Sequence, residues 1–170
     1  MKEFQIYLKK GLIKHQRPNF KQIKQQLEEA GHDLKLFDTV IREDTGWAST
    51  IAYQSMLRAG RALMFAHGFL PIDGQQHKTV VELTGELLGE TFKKIVRQFD
   101  KLRRVRNAFL YDSMDTISKT EAEIAVKTAR KLLTEITKQI EKLNPQGNIF
   151  NADRDNNGKG IKIDEFLKKL

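Results

Sequence analysis

Arg106 is the residue whose type and position carry the most chemistry in this chain. From Phe92 the apolar residues Ile95, Phe99 and Leu102 recur at helical spacing and resume at Phe109, and Arg106 falls in step with them. A guanidinium on a core-facing stripe is costly unless an acid, an anion, water or a subunit interface meets it. The neighbouring residues suit an anion: Lys101, Arg103 and Asn107 lie within a turn or two, and residues 103, 106, 107 and 110 share one helical face. One phosphate-bearing ligand can meet both arginines and Asn107 there, with bidentate guanidinium contacts. Tyr111, four residues after Asn107, is placed to close the same site by stacking or hydrogen bonding. Arg58 and Arg61, on the otherwise apolar second helix, are expected to join Arg106 in a cleft or to meet an acidic partner.

The charge distribution agrees. The chain of 170 residues carries a net charge of +8, and between Lys93 and Arg106 seven basic residues face Asp100 alone. Residues 1–24 likewise carry seven basic residues against Glu3. Such patches favour RNA, nucleotides or an acidic protein surface. For the N-terminal patch a solvated lysine-rich face explains the charge equally well.

Other reactive residues are less telling. His77, just before a helical pattern, reads as a helix-start residue, and His67 reads as a helix-end residue meeting the dipole. His15 and His32 lie among charges and are expected to be exposed, and no histidine pairs with a carboxylate at metal-ligand spacing. The absence of cysteine removes disulfides, thiolate metal sites and cysteine nucleophiles, and suits a reducing cytoplasm. In the tail, Asp153, Asp155, Asn157 and Gly158 fall as in a calcium loop, with Asp164 at the twelfth position. The match is partial, because Ile161 comes one residue late, and a solvated turn explains the same residues. Calcium is the sole candidate cofactor, and the main reading requires none.

The elements that must position these groups are helices. Phe20, Ile23, Leu27, Ala30, Leu34, Phe37 and Ile41 predict one long helix running through Gly31, with Pro18 at its start. A second begins near Asp44 or Thr45; its alanine stripe from Ala48 to Ala66 is joined by Trp47, Ile51, Tyr53, Leu57 and Met64. So wide an apolar arc belongs to a central, nearly surrounded helix, which Gly68 and Pro71 end. A short helix from about Lys78 to Leu88 leads through Gly89 to the helix of Arg106. Ser118 and Glu121 form a capping box ahead of a last long helix that stops at Asn144 and Pro145. No strand alternation is apparent, and no apolar run approaches the ~20 residues of a membrane helix. The N-terminus is too broken by charge for a secretory signal. The expectation is an all-α, four- to five-helix up-and-down bundle at 18–145, a basic segment with a short helix at 1–17, and a separable polar tail at 146–170.

The run AYQSMLRAGRALMFAHGFLPIDGQQHKTVVELTGE followed by LRRVRNAFLYD, between Ala52 and Asp112, resembles the HEPN superfamily of helical domains. The resemblance rests on an aromatic and small-residue helix ending at Gly68, on the His77-Lys78 helix start, and on Arg106 followed by polar Asn107. It implies a homodimer. It also implies metal-independent ribonuclease activity or a toxin component partnered by a nucleotidyltransferase antitoxin, as in many members. The family's ribonuclease motif places a histidine a few residues beyond the arginine; here Tyr111 stands in that region and no histidine follows Arg106. Cleavage without metal needs a base titrating near neutrality, whereas a tyrosine ordinarily titrates near pH ~10. The resemblance and the departure together favour RNA or nucleotide binding, or regulation, over catalysis. The alternatives are a ribonuclease using Arg106 and Tyr111, and a structural interaction module, which leaves Arg106 unexplained.

Overall fold

A computed structural model of the chain describes residues 2–72, 76–112, 117–144, 149 and 163–168. It is all-α apart from one very small sheet: α1 (Lys2–Lys9), β1 (Ile13–His15), α2 (Phe20–Val40), α3 (Thr45–Ala66), β2 (Phe69–Pro71), α4 (Gln76–Leu88), α5 (Lys93–Tyr111), α6 (Lys119–Leu143) and α7 (Ile163–Lys168), with a 3-10 turn at Glu90–Phe92 between α4 and α5.

The helices α2, α3 and α6 start where the chain offers a side-chain oxygen. Asn19 caps α2 by accepting from the backbone of Lys21 and Gln22, and Asp44 caps α3 by accepting from Trp47. At α6 the Ser118 side chain accepts from the Glu121 backbone N–H, and the Glu121 carboxylate accepts from the Ser118 N–H in return. Gly68, at φ 81°, takes the left-handed turn that ends α3 and lets the chain double back into β2.

The centre is α3, covered by α2, α4, α5 and α6. Ala48, Ala52, Met56, Ala59, Ala62, Leu63 and Met64 are buried along it, and its small residues set the distance of closest approach. A Cβ on Gly60 would sit 2.6 Å from Thr84 Oγ1 and 2.8 Å from Val80 Cγ1, so the glycine lets α4 lie directly on α3. Around α3, the helix stripes of α2 and α6 close the core with Leu27, Leu34, Leu132 and Ile136.

Both flanking segments make contacts with the bundle. The N-terminal basic segment packs on the bundle: Phe4 and Ile13 are buried, and Tyr7 donates to Glu82 Oε2 of α4 at 2.7 Å. It is held by an antiparallel β1–β2 pair in the register Ile13↔Pro71, Lys14↔Leu70, His15↔Phe69. Three-residue strands are too short to display the alternation by which a strand is recognised in a sequence. Two described residues beyond 145 also meet the bundle. Ile149 is 3% exposed and its N–H donates to Glu141 Oε1 at 2.8 Å, and Phe166 of α7 packs against the core. A boundary at 146 thus falls ahead of a core residue.

Candidate anion-binding site

The helices α4 and α5 form an antiparallel hairpin folded against α3, because Gly89 and the 3-10 turn reverse the chain between them. Gly85 faces Val96, and the start of α4 is brought level with the last two turns of α5. There α3 contributes Tyr53 and Arg61, α4 contributes Gln76 and His77, and α5 contributes Arg103 and Arg106.

Tyr53 is 1% exposed, packed on Phe99 with ring centroids 5.7 Å apart, and its hydroxyl lies 2.9 Å from His77 Nδ1. Burial holds the Tyr53 phenol well above the usual tyrosine range, so it remains a hydroxyl that can donate or accept. His77 is pushed the other way. Burial first, then the positive charges of Arg106, Arg61 and Arg103, lower its titration below the ordinary imidazole value. The charges of all three guanidiniums thus act on one imidazole and favour its neutral form.

The cations differ in what satisfies them. Arg103 Nε donates to Asp100 Oδ1 at 2.9 Å, and Arg104 reaches the other Asp100 oxygen at 3.1 Å. Arg61 donates through Nη2 to Gln76 Oε1 at 3.2 Å, while its Nε is buried with no acceptor among the described residues. Burial also disfavours the Arg61 charge. Arg106 meets only neutral groups among the described residues: Nη1 donates to Asn107 Oδ1 at 3.0 Å, and the guanidinium lies over the Tyr111 ring, 5.7 Å from its centroid. An arginine whose described partners are an amide and a ring face retains its charge for another acceptor.

The arginine is not a core residue. Ile95 and Phe99 are buried on α5, but Leu102, Arg106 and Phe109 are half-buried, so the stripe leaves the core toward the C-terminal end of the helix. There Phe109 packs edge-on against Trp47 at 5.6 Å, and it fills the space that a Cβ on Gly46 would need. Trp47 is 50% exposed and Tyr111 is 76% exposed, which leaves an aromatic surface beside Arg106.

Of the residues singled out in the sequence, Arg61, Arg103, Arg106, Asn107 and Tyr111 fall at this end of the hairpin. Arg58 does not join them: its Nε donates to Asp33 Oδ2 at 2.9 Å and its Nη1 to Glu29, so it ties α3 to α2. Lys101 is exposed and its charge acts on Glu121 at the start of α6, away from the cluster. The calcium-loop residues Asp153, Asp155 and Asn157 lie outside the described residues, as does the side chain of Asp164. Among the described residues no group of three histidine or acidic side chains is placed to hold a metal.

His77 and Tyr53 were not expected as a pair. They are 24 residues apart on different helices, and no local spacing connects them. For His67, burial lowers the imidazole's titration, so the cationic form that a helix-end role would favour is disfavoured.

A groove of about 530 Å³ continues from Arg103 between α4 and α5, lined among others by Lys78, Glu82, Glu86, Lys93 and Arg97. Its wall alternates acids and bases, so the preference for an anion is concentrated at the Arg103 end.

No helix among the described residues is long and apolar enough to cross a membrane. No curated protein and no solved structure matches the chain. The model of the HEPN domain matches residues 20–140, which span α2 to α6 and contain every residue of the cluster. The chain belongs to the HEPN domain family, whose membership supports a nucleotide- or RNA-related role.

Proposed function

We propose that this protein binds a phosphate-bearing partner, RNA or a nucleotide, at the α3–α4–α5 cluster, and that it acts by binding or regulation rather than by cleaving RNA. One observation carries the reading: Arg106, one turn beyond Arg103 on α5, has only Asn107 and Tyr111 as described partners. Arg106 and Arg103 supply donors, Asn107 orients the first of them, and Tyr111 offers a ring face to a base. The position where family ribonucleases carry a histidine offers only an exposed tyrosine engaged with the arginine.

Dimerisation, common among HEPN proteins, fits the exposed Trp47 and Tyr111 at the same end of the bundle, which would place two Arg106 side chains near a shared cleft. Pairing with a nucleotidyltransferase in a toxin–antitoxin system follows the pattern of many family members and is part of this proposal.

The test is binding of a fluorescently labelled single-stranded oligoribonucleotide and of ATP, with RNA integrity followed in chelator. Binding should weaken about tenfold or more in Arg106→Ala, matching the ~1.5–3 kcal/mol of a charged hydrogen bond. It should also fall steadily with added salt. Robust cleavage lost in both Arg106→Ala and Tyr111→Phe would replace this reading with that of a tyrosine-assisted ribonuclease. Unchanged binding in Arg106→Ala would remove the site.

A further inference from the structure

We propose that His77 is a fourth contact of the phosphate site: it takes up a proton as a phosphate-bearing ligand settles among Arg61, Arg103 and Arg106, and then donates to that ligand through Nε2 while Tyr53 holds Nδ1. The inference rests on the reading above and adds a proton to it.

The geometry supplies each part. His77 is the second residue of α4, half-buried, with Nδ1 fixed 2.9 Å from the Tyr53 hydroxyl. That bond leaves Nε2 as the ring's other polar atom. The ring lies within reach of the charges of Arg61 on α3 and of Arg103 and Arg106 on α5, and Arg61 is tied to Gln76, the residue before His77. The nearby carboxylate on α5, Asp100, is engaged by Arg103 and Arg104. Its helix neighbours Gln76 and Lys78 respectively accept from Arg61 and pair with Glu82 at 3.8 Å.

A fourth positive charge is opposed by the three guanidiniums, so the imidazole favours its neutral form and the Tyr53 hydroxyl can donate to Nδ1. A bound phosphate supplies negative charge that offsets this opposition and favours the imidazolium. In that form both ring nitrogens are donors: Nδ1–H donates to the Tyr53 oxygen, which only has to rotate its hydrogen away, and Nε2–H donates to the phosphate. Tyr53 serves both states because burial keeps it a hydroxyl. The proton comes from solvent and returns there on release, so binding and protonation are linked and each strengthens the other.

The sign is fixed by the linkage. Between the free and the bound titration points of His77, binding takes up a proton, rising toward about one per ligand. Above the bound value it takes up none, and the affinity falls as the pH is raised through that value.

The experiment is titration calorimetry of the full chain with ATP in one arm and a ten-nucleotide oligoribonucleotide in the other. Each is run at pH 6–7 in buffers of different ionisation enthalpy. The His77 ring signal is followed by NMR with and without ligand. Proton uptake in either arm that disappears in His77→Gln, with binding retained but weakened a few-fold, is the expected result, and the responding arm identifies the source of the phosphate. The glutamine can still pair with the Tyr53 hydroxyl, and the NMR titration of the unaltered protein gives the same answer without substitution: the His77 titration should rise on binding. Binding without proton uptake, or with uptake unchanged in His77→Gln, overturns the inference and leaves the binding reading intact. Absence of binding in both arms overturns both.

Discussion

Arg58→Ala should separate structural arginines from ligand-binding ones. Arg58 bridges α3 to Glu29 and Asp33 of α2, and the Asp33 side chain is only 15% exposed. Removing the guanidinium leaves that carboxylate largely desolvated and without its donor. An unsatisfied buried charged group of this kind costs about 1–3 kcal/mol, and the exposed Glu29 arm adds little, so a loss near 2 kcal/mol is expected at neutral pH. For a chain of this size that lowers Tm by about 4–8 °C. The loss should depend on pH in one direction. Burial already holds Asp33 above the usual carboxylate value of 3.8, against the opposing pull of Arg58. A carboxyl raised in the folded state contributes stability below its unfolded value and loses it as pH rises through the folded one. Taking Arg58 away raises the folded value further, so the variant should be penalised more at pH 7 than at pH 4. Thermal unfolding followed by circular dichroism at both values measures this, and the oligoribonucleotide assay on the same sample should show binding unchanged. A Tm within about a degree of the parent at pH 7, or an equal loss at both pH values, would refute the structural role of the pair. Lost binding in a fully folded variant would return Arg58 to the ligand site.

The remaining predictions follow the same geometry. Gly60→Ala gains helix propensity of ~1 kcal/mol but drives a methyl into Thr84 and Val80, where overpacking costs about 1–3 kcal/mol, so urea unfolding should show a net loss. Ile149→Ala should destabilise the bundle by about 2–4 kcal/mol, and deletion of residues 146–170 should lower Tm at least as much; a truncated chain as stable as the parent would show that Ile149 is no part of the core. Lys101→Ala should change RNA affinity much less than Arg106→Ala at matched salt, since Lys101 is exposed and is not among the charges acting on His77; equal effects would place both on one binding face. A Trp47→Glu variant eluting as a smaller species than the parent in light scattering would support the dimer surface, and an unaltered mass would count against it.

The helices were legible in the sequence because their information is local. Stripes at three- and four-residue spacing, Asp44, the Ser118–Glu121 box and Gly68 each act within a turn or two of themselves, and they fix where α2, α3 and α6 begin and end. Arg106 was legible for the same reason, as a charge in step with an apolar stripe. What packing decided is which charges meet. Arg58 and Arg61 stand three residues apart on one helix, yet the first turns to the acids of α2 and the second to Gln76 of α4, a choice made by the helices that flank α3. The pairing of Tyr53 with His77, the burial that keeps the imidazole neutral, and the return of Ile149 and Phe4 to the core are contacts between segments far apart in the chain. Periodicity encodes a residue's face on its own helix. The partner across that face depends on how helices are arranged around α3, and that is settled only when the whole bundle closes.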